Sequence, residues 1–92
     1  MVKNMQVTLY KQEREDNYKF DTQIVYTKGM ESQFGENIFM LIYKTMNQIQ
    51  ELVNKGIADY FQVATVEYMG STTKFYIIDD IDHITFLLPE EY

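Results

Sequence analysis

The stretch QFGENIFMLIYKTMNQIQELVNK, set between Ser32 and Gly56, constrains this chain more than any other. Ile38, Ile42, Met46, Ile49 and Val53 recur at the helical period, and Leu41, Thr45 and Leu52 widen them into the broad stripe of a helix lying on a sheet. Lys44, Asn47, Gln48, Glu51, Asn54 and Lys55 fall on the opposite, solvent side. Gly56 follows the last turn, where a left-handed residue closes a helix at no steric cost. Ser32 has Gly35, not Glu, three residues on, so the capping box is incomplete and the expected start lies between Gln33 and Asn37. The run IFMLIY, residues 38–43, is apolar all round. Either a strand or loop covers this end of the helix, or Phe39, Met40 and Tyr43 form an exposed anchor for a partner or a second copy.

Every segment around the helix reads as strand. Met5, Val7 and Leu9 alternate with Gln6, Thr8 and Tyr10, and Phe20, Thr22, Ile24 and Tyr26 alternate with Asp21, Gln23, Val25 and Thr27. Between them KQEREDN, residues 11–17, reads as a solvated hairpin loop, and Lys28-Gly29-Met30 as a turn leading to the helix. Beyond Gly56, ADYFQVATVEYM is β-branched and aromatic, with Phe61, Val63 and Thr65 on one side and Tyr60, Gln62, Ala64 and Val66 on the other. Gly70-Ser71 marks a turn, TKFYIID a strand and Asp79 to Asp82 another turn; HITFLL closes the sheet before Pro89. The expected fold is α+β: a single domain over residues 1–92, with one long helix packed on one face of a mostly antiparallel sheet in the order β-β-α-β-β-β. Short links favour antiparallel pairing within each group of strands.

Charge narrows the function. Residues 1–46 carry six acidic and six basic side chains; residues 47–92 carry eight acidic ones against Lys55 and Lys74, so the net charge of −6 belongs to the second half. Such a field disfavours direct binding to nucleic acid, which needs Lys and Arg against phosphates, and favours a basic protein partner. With no cysteine there is no disulfide framework or thiolate metal site. No apolar run approaches the roughly 20 residues of a membrane span, and MVKNMQVTLY lacks the apolar core of a signal peptide; a cytoplasmic protein is expected.

Asp79, Asp80, Asp82 and His83 form the one cluster of ligand-type residues. Their spacing matches neither a calcium loop nor a zinc site, and Asp is an ordinary turn residue, so no metal or other cofactor is expected. An Asp–His pair here would need Ser32, Ser71 or a Thr as nucleophile, and none sits in an elbow motif. No enzyme is read from this sequence. Tyr18, Tyr26, Tyr60, Tyr68 and Tyr76 suit sheet packing, or a tyrosine-rich protein-binding row beside an acidic rim.

FYIIDDIDHITFLLPEEY, residues 75–92, resembles the C-terminal signature of a family of small proteins from staphylococci, streptococci and their phages, a family of unknown function. IVYTKGMESQ, residues 24–33, and ADYFQV, residues 58–63, are similar to the segments that flank that family's helix. This chain has Ile81 where the family tends to have Gly after the Asp-Asp pair. The resemblance implies a Gram-positive or phage setting and no activity. Its profile is also similar to that of phage inhibitors of host defence nucleases, of the anti-CRISPR or anti-restriction type. The leading expectation is an acidic inhibitor that binds a basic nucleic-acid-handling host protein through Asp79, Asp80, Asp82, Glu90 and Glu91. The alternative is a self-associating assembly module, a homodimer built on Phe39, Met40 and Tyr43.

Overall fold

A computed structural model of the chain describes residues 4–92. Strands β1 (Met5–Leu9), β2 (Gln23–Tyr26), β3 (Phe61–Tyr68), β4 (Ser71–Asp79) and β5 (His83–Leu87) make one five-stranded sheet in the order β1-β3-β4-β5-β2. Helices α1 (Lys28–Phe34) and α2 (Ile38–Asn54) cross one face of it, and a 3₁₀ turn (Pro89–Glu91) ends the chain. The expected α+β class therefore holds. β3, β4 and β5 form an antiparallel meander, with β1 antiparallel to β3. β2 is the exception, lying parallel to β5 with Ile24 beside Ile84 and Tyr26 beside Phe86.

That placement corrects the expected hairpin. β1 and β2 lie on opposite edges of the sheet, and residues 10–22 run across its end rather than out into solvent. Backbone bonds tie Tyr10 to Val63, Asp16 to Ile57 and Tyr18 to Ala58. Gln12 is half-buried: its Oε1 accepts from the Asp59 N–H at 3.0 Å and from Gln62 Nε2 at 2.7 Å, and its Nε2 donates to the Ile57 carbonyl. A charged run is thus anchored through the neutral amide of Gln12. β2 is also shorter than the alternation implies, because Phe20 leaves extended geometry (φ 48°) to bury its ring.

The helical segment starts earlier than expected. Lys28-Gly29-Met30 is the first turn of α1, not a loop; Thr27 is the N-cap, its hydroxyl accepting from the Met30 N–H at 3.3 Å. A 3₁₀ turn at Gly35–Asn37, with Gly35 at φ 55°, separates α1 from α2. Gly56 (φ 72°) closes α2 as expected: its N–H reaches the Val53 carbonyl while that of Ile57 reaches Leu52, a Schellman motif. Ile38, Leu41, Thr45 and Ile49 are buried, with Ile42, Met46, Leu52 and Val53 half-buried, so the contact stripe is turned toward Leu41 and Thr45. Gln48, expected to be wet, donates to the Val7 carbonyl at 2.6 Å and so ties α2 to edge strand β1.

Under the helices lie Val7, Ala64, Val66, Phe75, Ile77, Ile84 and Phe86, with the Phe75 and Phe86 rings stacked at 6.0 Å. Met69 and Gly70 both have positive φ between Tyr68 and Ser71, which makes the β3–β4 link a type I′ hairpin. Among the described residues neither α-helix lies on the other face of the sheet. There Phe61, Ile78, Thr85 and Val25 form one row across β3, β4, β5 and β2, and Tyr92 folds back onto Phe61 and Tyr76 with ring centroids at 5.3 and 5.8 Å. No helix among the described residues is long and apolar enough to cross a membrane.

Candidate functional site: the acidic end of the sheet

At the β4–β5 connection the sequence cluster divides into an internal part and an external part. Asp79 is the last residue of β4 rather than part of the turn, and it is buried. Its Oδ1 accepts from the Ile81 N–H at 2.9 Å, which shapes the turn, and its Oδ2 accepts from the Phe20 N–H at 2.9 Å. Asp80 and Asp82 are exposed. Ile81, where the resemblance would place Gly, takes the left-handed conformation itself (φ 75°) and points an exposed side chain outward. His83 Nε2 lies 3.5 Å from Asp80 Oδ2 on the half-exposed start of β5. Ser71 starts β4 at the end remote from this pair, and Ser32 lies exposed on α1, so neither serine joins it. Among the described residues no group of three His, Cys, Asp or Glu side chains converges to hold a metal ion.

The Phe20–Asp79 bond has a larger effect. It brings residues 16–21 against the turn, so the exposed Asp16 and Asp21 line a cavity of about 270 Å³ together with Tyr18, Asp79 and Ile81, next to the turn that carries the exposed Asp80 and Asp82. Lys19 is the basic residue lining this cavity, and its Nζ donates to Asn17 Oδ1 at 3.2 Å. Sequence reasoning missed Asp16, which sits in a run whose charges nearly cancel, and Asp21, which reads as a strand residue; only the long-range Phe20–Asp79 bond associates them with the turn.

Glu90 and Glu91 lie elsewhere. They follow the far end of β5, a full strand length from Asp80 and Asp82, so the five acidic residues singled out in the sequence do not form one patch. Glu91 is committed to the fold. Its carboxylate accepts from the Thr27 hydroxyl, from the Gly29 N–H at 3.0 Å and from the Leu88 N–H at 2.9 Å. The Thr27 bond, then the Leu88 bond, hold its pKa below the ordinary glutamate value. Glu90 is exposed.

Phe39, Met40 and Tyr43 are exposed on the outer side of α2, at 66%, 44% and 68%. No strand or loop covers them among the described residues; Phe39 only touches Tyr26, edge-on at 6.2 Å. The tyrosines serve the packing expected of them: Tyr18 rests on Tyr60, Tyr68 on Phe34, and Tyr76 on Phe61. Comparison with family models, curated proteins and solved structures finds no match to this chain.

Proposed function

We propose that this chain is a non-catalytic binding protein whose acidic end docks on a basic, nucleic-acid-handling protein and excludes nucleic acid from it, as a phage-type inhibitor of host defence would. The observation that carries this reading is that the Phe20–Asp79 bond brings Asp16 and Asp21, which line one cavity, to the end of the sheet whose turn carries Asp80 and Asp82, in a chain of net charge −6. Exposed carboxylates at one end of the sheet would meet Lys and Arg side chains that otherwise hold phosphates, and their summed field speeds encounter. Each exposed pair adds only about 0.2–1 kcal/mol, so the reading requires several to act together and to be screened by salt. Asp79 and Glu91 are left out of the contact set because the buried Asp79 carboxylate holds two backbone N–H groups and the exposed Glu91 carboxylate is engaged by Thr27, Gly29 and Leu88.

The test is paired affinity capture from a nuclease-treated Gram-positive lysate, using the wild-type chain and an Asp16→Asn/Asp21→Asn/Asp80→Asn/Asp82→Asn variant. The expected result is a basic protein held by the wild type alone, released by a salt step and displaced by added DNA. Equal recovery on both baits, or a bound protein indifferent to salt and DNA, would overturn the proposal.

A further inference from the structure

The two edges of the sheet are treated differently. On β1, Gln48 caps the Val7 carbonyl and α2 packs alongside. On β2 nothing among the described residues covers the outer edge, although an open edge strand is a template for pairing with another chain. Apart from its four-residue length, β2 carries none of the usual protections: Gln23–Tyr26 has no Pro, no Lys and no inward charge, and Ile24 and Val25 are 37% and 39% exposed.

The hydrogen-bonding groups of this edge are self-complementary. Thr27 donates its N–H inward to the Phe86 carbonyl, so by strand alternation Gln23 and Val25 also face β5. The N–H and C=O of Ile24 and Tyr26 therefore point outward. We infer that β2 pairs antiparallel with β2 of a second copy about a two-fold axis at Val25, joining two molecules into one continuous sheet. In that register Ile24 of each copy exchanges both backbone bonds with Tyr26 of the other, which satisfies every outward group of the strand. A shift by one residue either way would oppose residues from opposite faces, which the pleat forbids.

Three further features favour this occupant. Asp21 precedes the strand and Lys28 follows it, so antiparallel pairing brings each Asp21 near Lys28 of the other copy, whereas parallel pairing would oppose like charges. The same arrangement sets the two acidic ends a strand length apart. On the helical face, Ile24 of one copy meets Tyr26 of the other, which already supports Phe39, so the exposed Phe39, Met40 and Tyr43 flank the seam and the helices approach side by side. Asp21 is shared with the acidic end, but the pairing rests on the outward backbone groups of Ile24 and Tyr26, so this inference stands independently of the proposed function.

The chain has no cysteine, which makes cross-linking decisive. At a non-hydrogen-bonded antiparallel pair the Cα atoms lie about 4.5 Å apart, within disulfide range. Val25→Cys should oxidise to a covalent dimer, and Ile24→Cys, facing Tyr26 of the other copy, should not. By analytical ultracentrifugation the wild type should sediment as a dimer, and Ile24→Lys should raise the dimer Kd at least about tenfold, a change of roughly 1.4 kcal/mol. A wild type that is monomeric at about 100 µM, Ile24→Lys without effect, or equal cross-linking at both positions would overturn the inference.

Discussion

Replacing Asp79 with Ala tests the division of the acidic cluster into an internal and an external part. The substitution removes two charge-assisted bonds, each 2.9 Å long. The two N–H groups it orphans differ in surroundings. That of Phe20 belongs to a residue only 3% exposed and stays buried without an acceptor, at a cost of about 1–3 kcal/mol. That of Ile81 lies in an exposed turn, where water replaces the carboxylate and the net loss is about 1 kcal/mol. Together these come to about 3 kcal/mol, a large share of the ~5–15 kcal/mol typical of a domain. For a chain of this size each kcal/mol lowers Tm by ~4–8 °C, so the expected fall is ~12–24 °C. Asp79→Asn keeps one acceptor oxygen and should lose less. Urea unfolding followed by circular dichroism measures the loss as a lower midpoint at unchanged slope. Asp80→Ala and Asp82→Ala serve as controls and should stay within about 0.5 kcal/mol of the wild type. A loss below about 1 kcal/mol for Asp79→Ala, or an equal loss for Asp80→Ala, would refute the assignment of Asp79 to the fold.

Glu91 supplies a pH dependence. Its folded pKa is depressed, so its stabilisation is fully present above the ordinary glutamate pKa and disappears as pH falls through the lower folded value. Urea midpoints across a pH series should show Glu91→Gln less stable than wild type at neutral pH and converging with it in acid; a constant gap would argue against the three-bond latch. Gly29 checks the same latch sterically, since a Cβ there would fall 2.5 Å from a Glu91 carboxylate oxygen. Gly29→Ala should lower Tm in the wild-type background. Combined with Glu91→Ala it should instead raise stability by up to about 1 kcal/mol through better helix propensity, and a double-mutant cycle without that change of sign would count against the contact.

How much of this was legible beforehand depended on the range of the interaction. The α2 periodicity, the Gly56 closure and the alternation in β1 and β3 follow from spacing within a few residues, whereas the exposure of Phe39, Met40 and Tyr43 depends on which strands and loops reach that end of α2. The first turn of α1 was not legible either, because Lys28-Gly29-Met30 has turn composition and becomes helical when capped by Thr27 and bound by Glu91 from the other end of the chain. Residues 11–17 are exposed except for Gln12, as their charge implies, but they close no hairpin, because β1 and β2 take opposite edges and Gln12 finds its partners at Asp59 and Gln62. The five acidic candidates were a local reading too. Asp79 is buried and Glu91, though exposed, is engaged in hydrogen bonds, while Asp16 and Asp21 reach the Asp79 end of the sheet from a segment remote in sequence.

The sequence alone determined an α+β chain with one amphipathic helical segment, a surplus of negative charge in its second half and no cysteine chemistry. These are properties of composition and short-range periodicity, which persist in any fold that buries the apolar stripe. Tertiary structure alone decided that β2 joins β5 in parallel at an open edge, that Asp79 and Glu91 hold backbone N–H groups, and which carboxylates share one end of the sheet. Those outcomes depend on backbone donors meeting acceptors from distant segments, and an unpaired peptide group carries no mark in its own side chain of where its partner will come from.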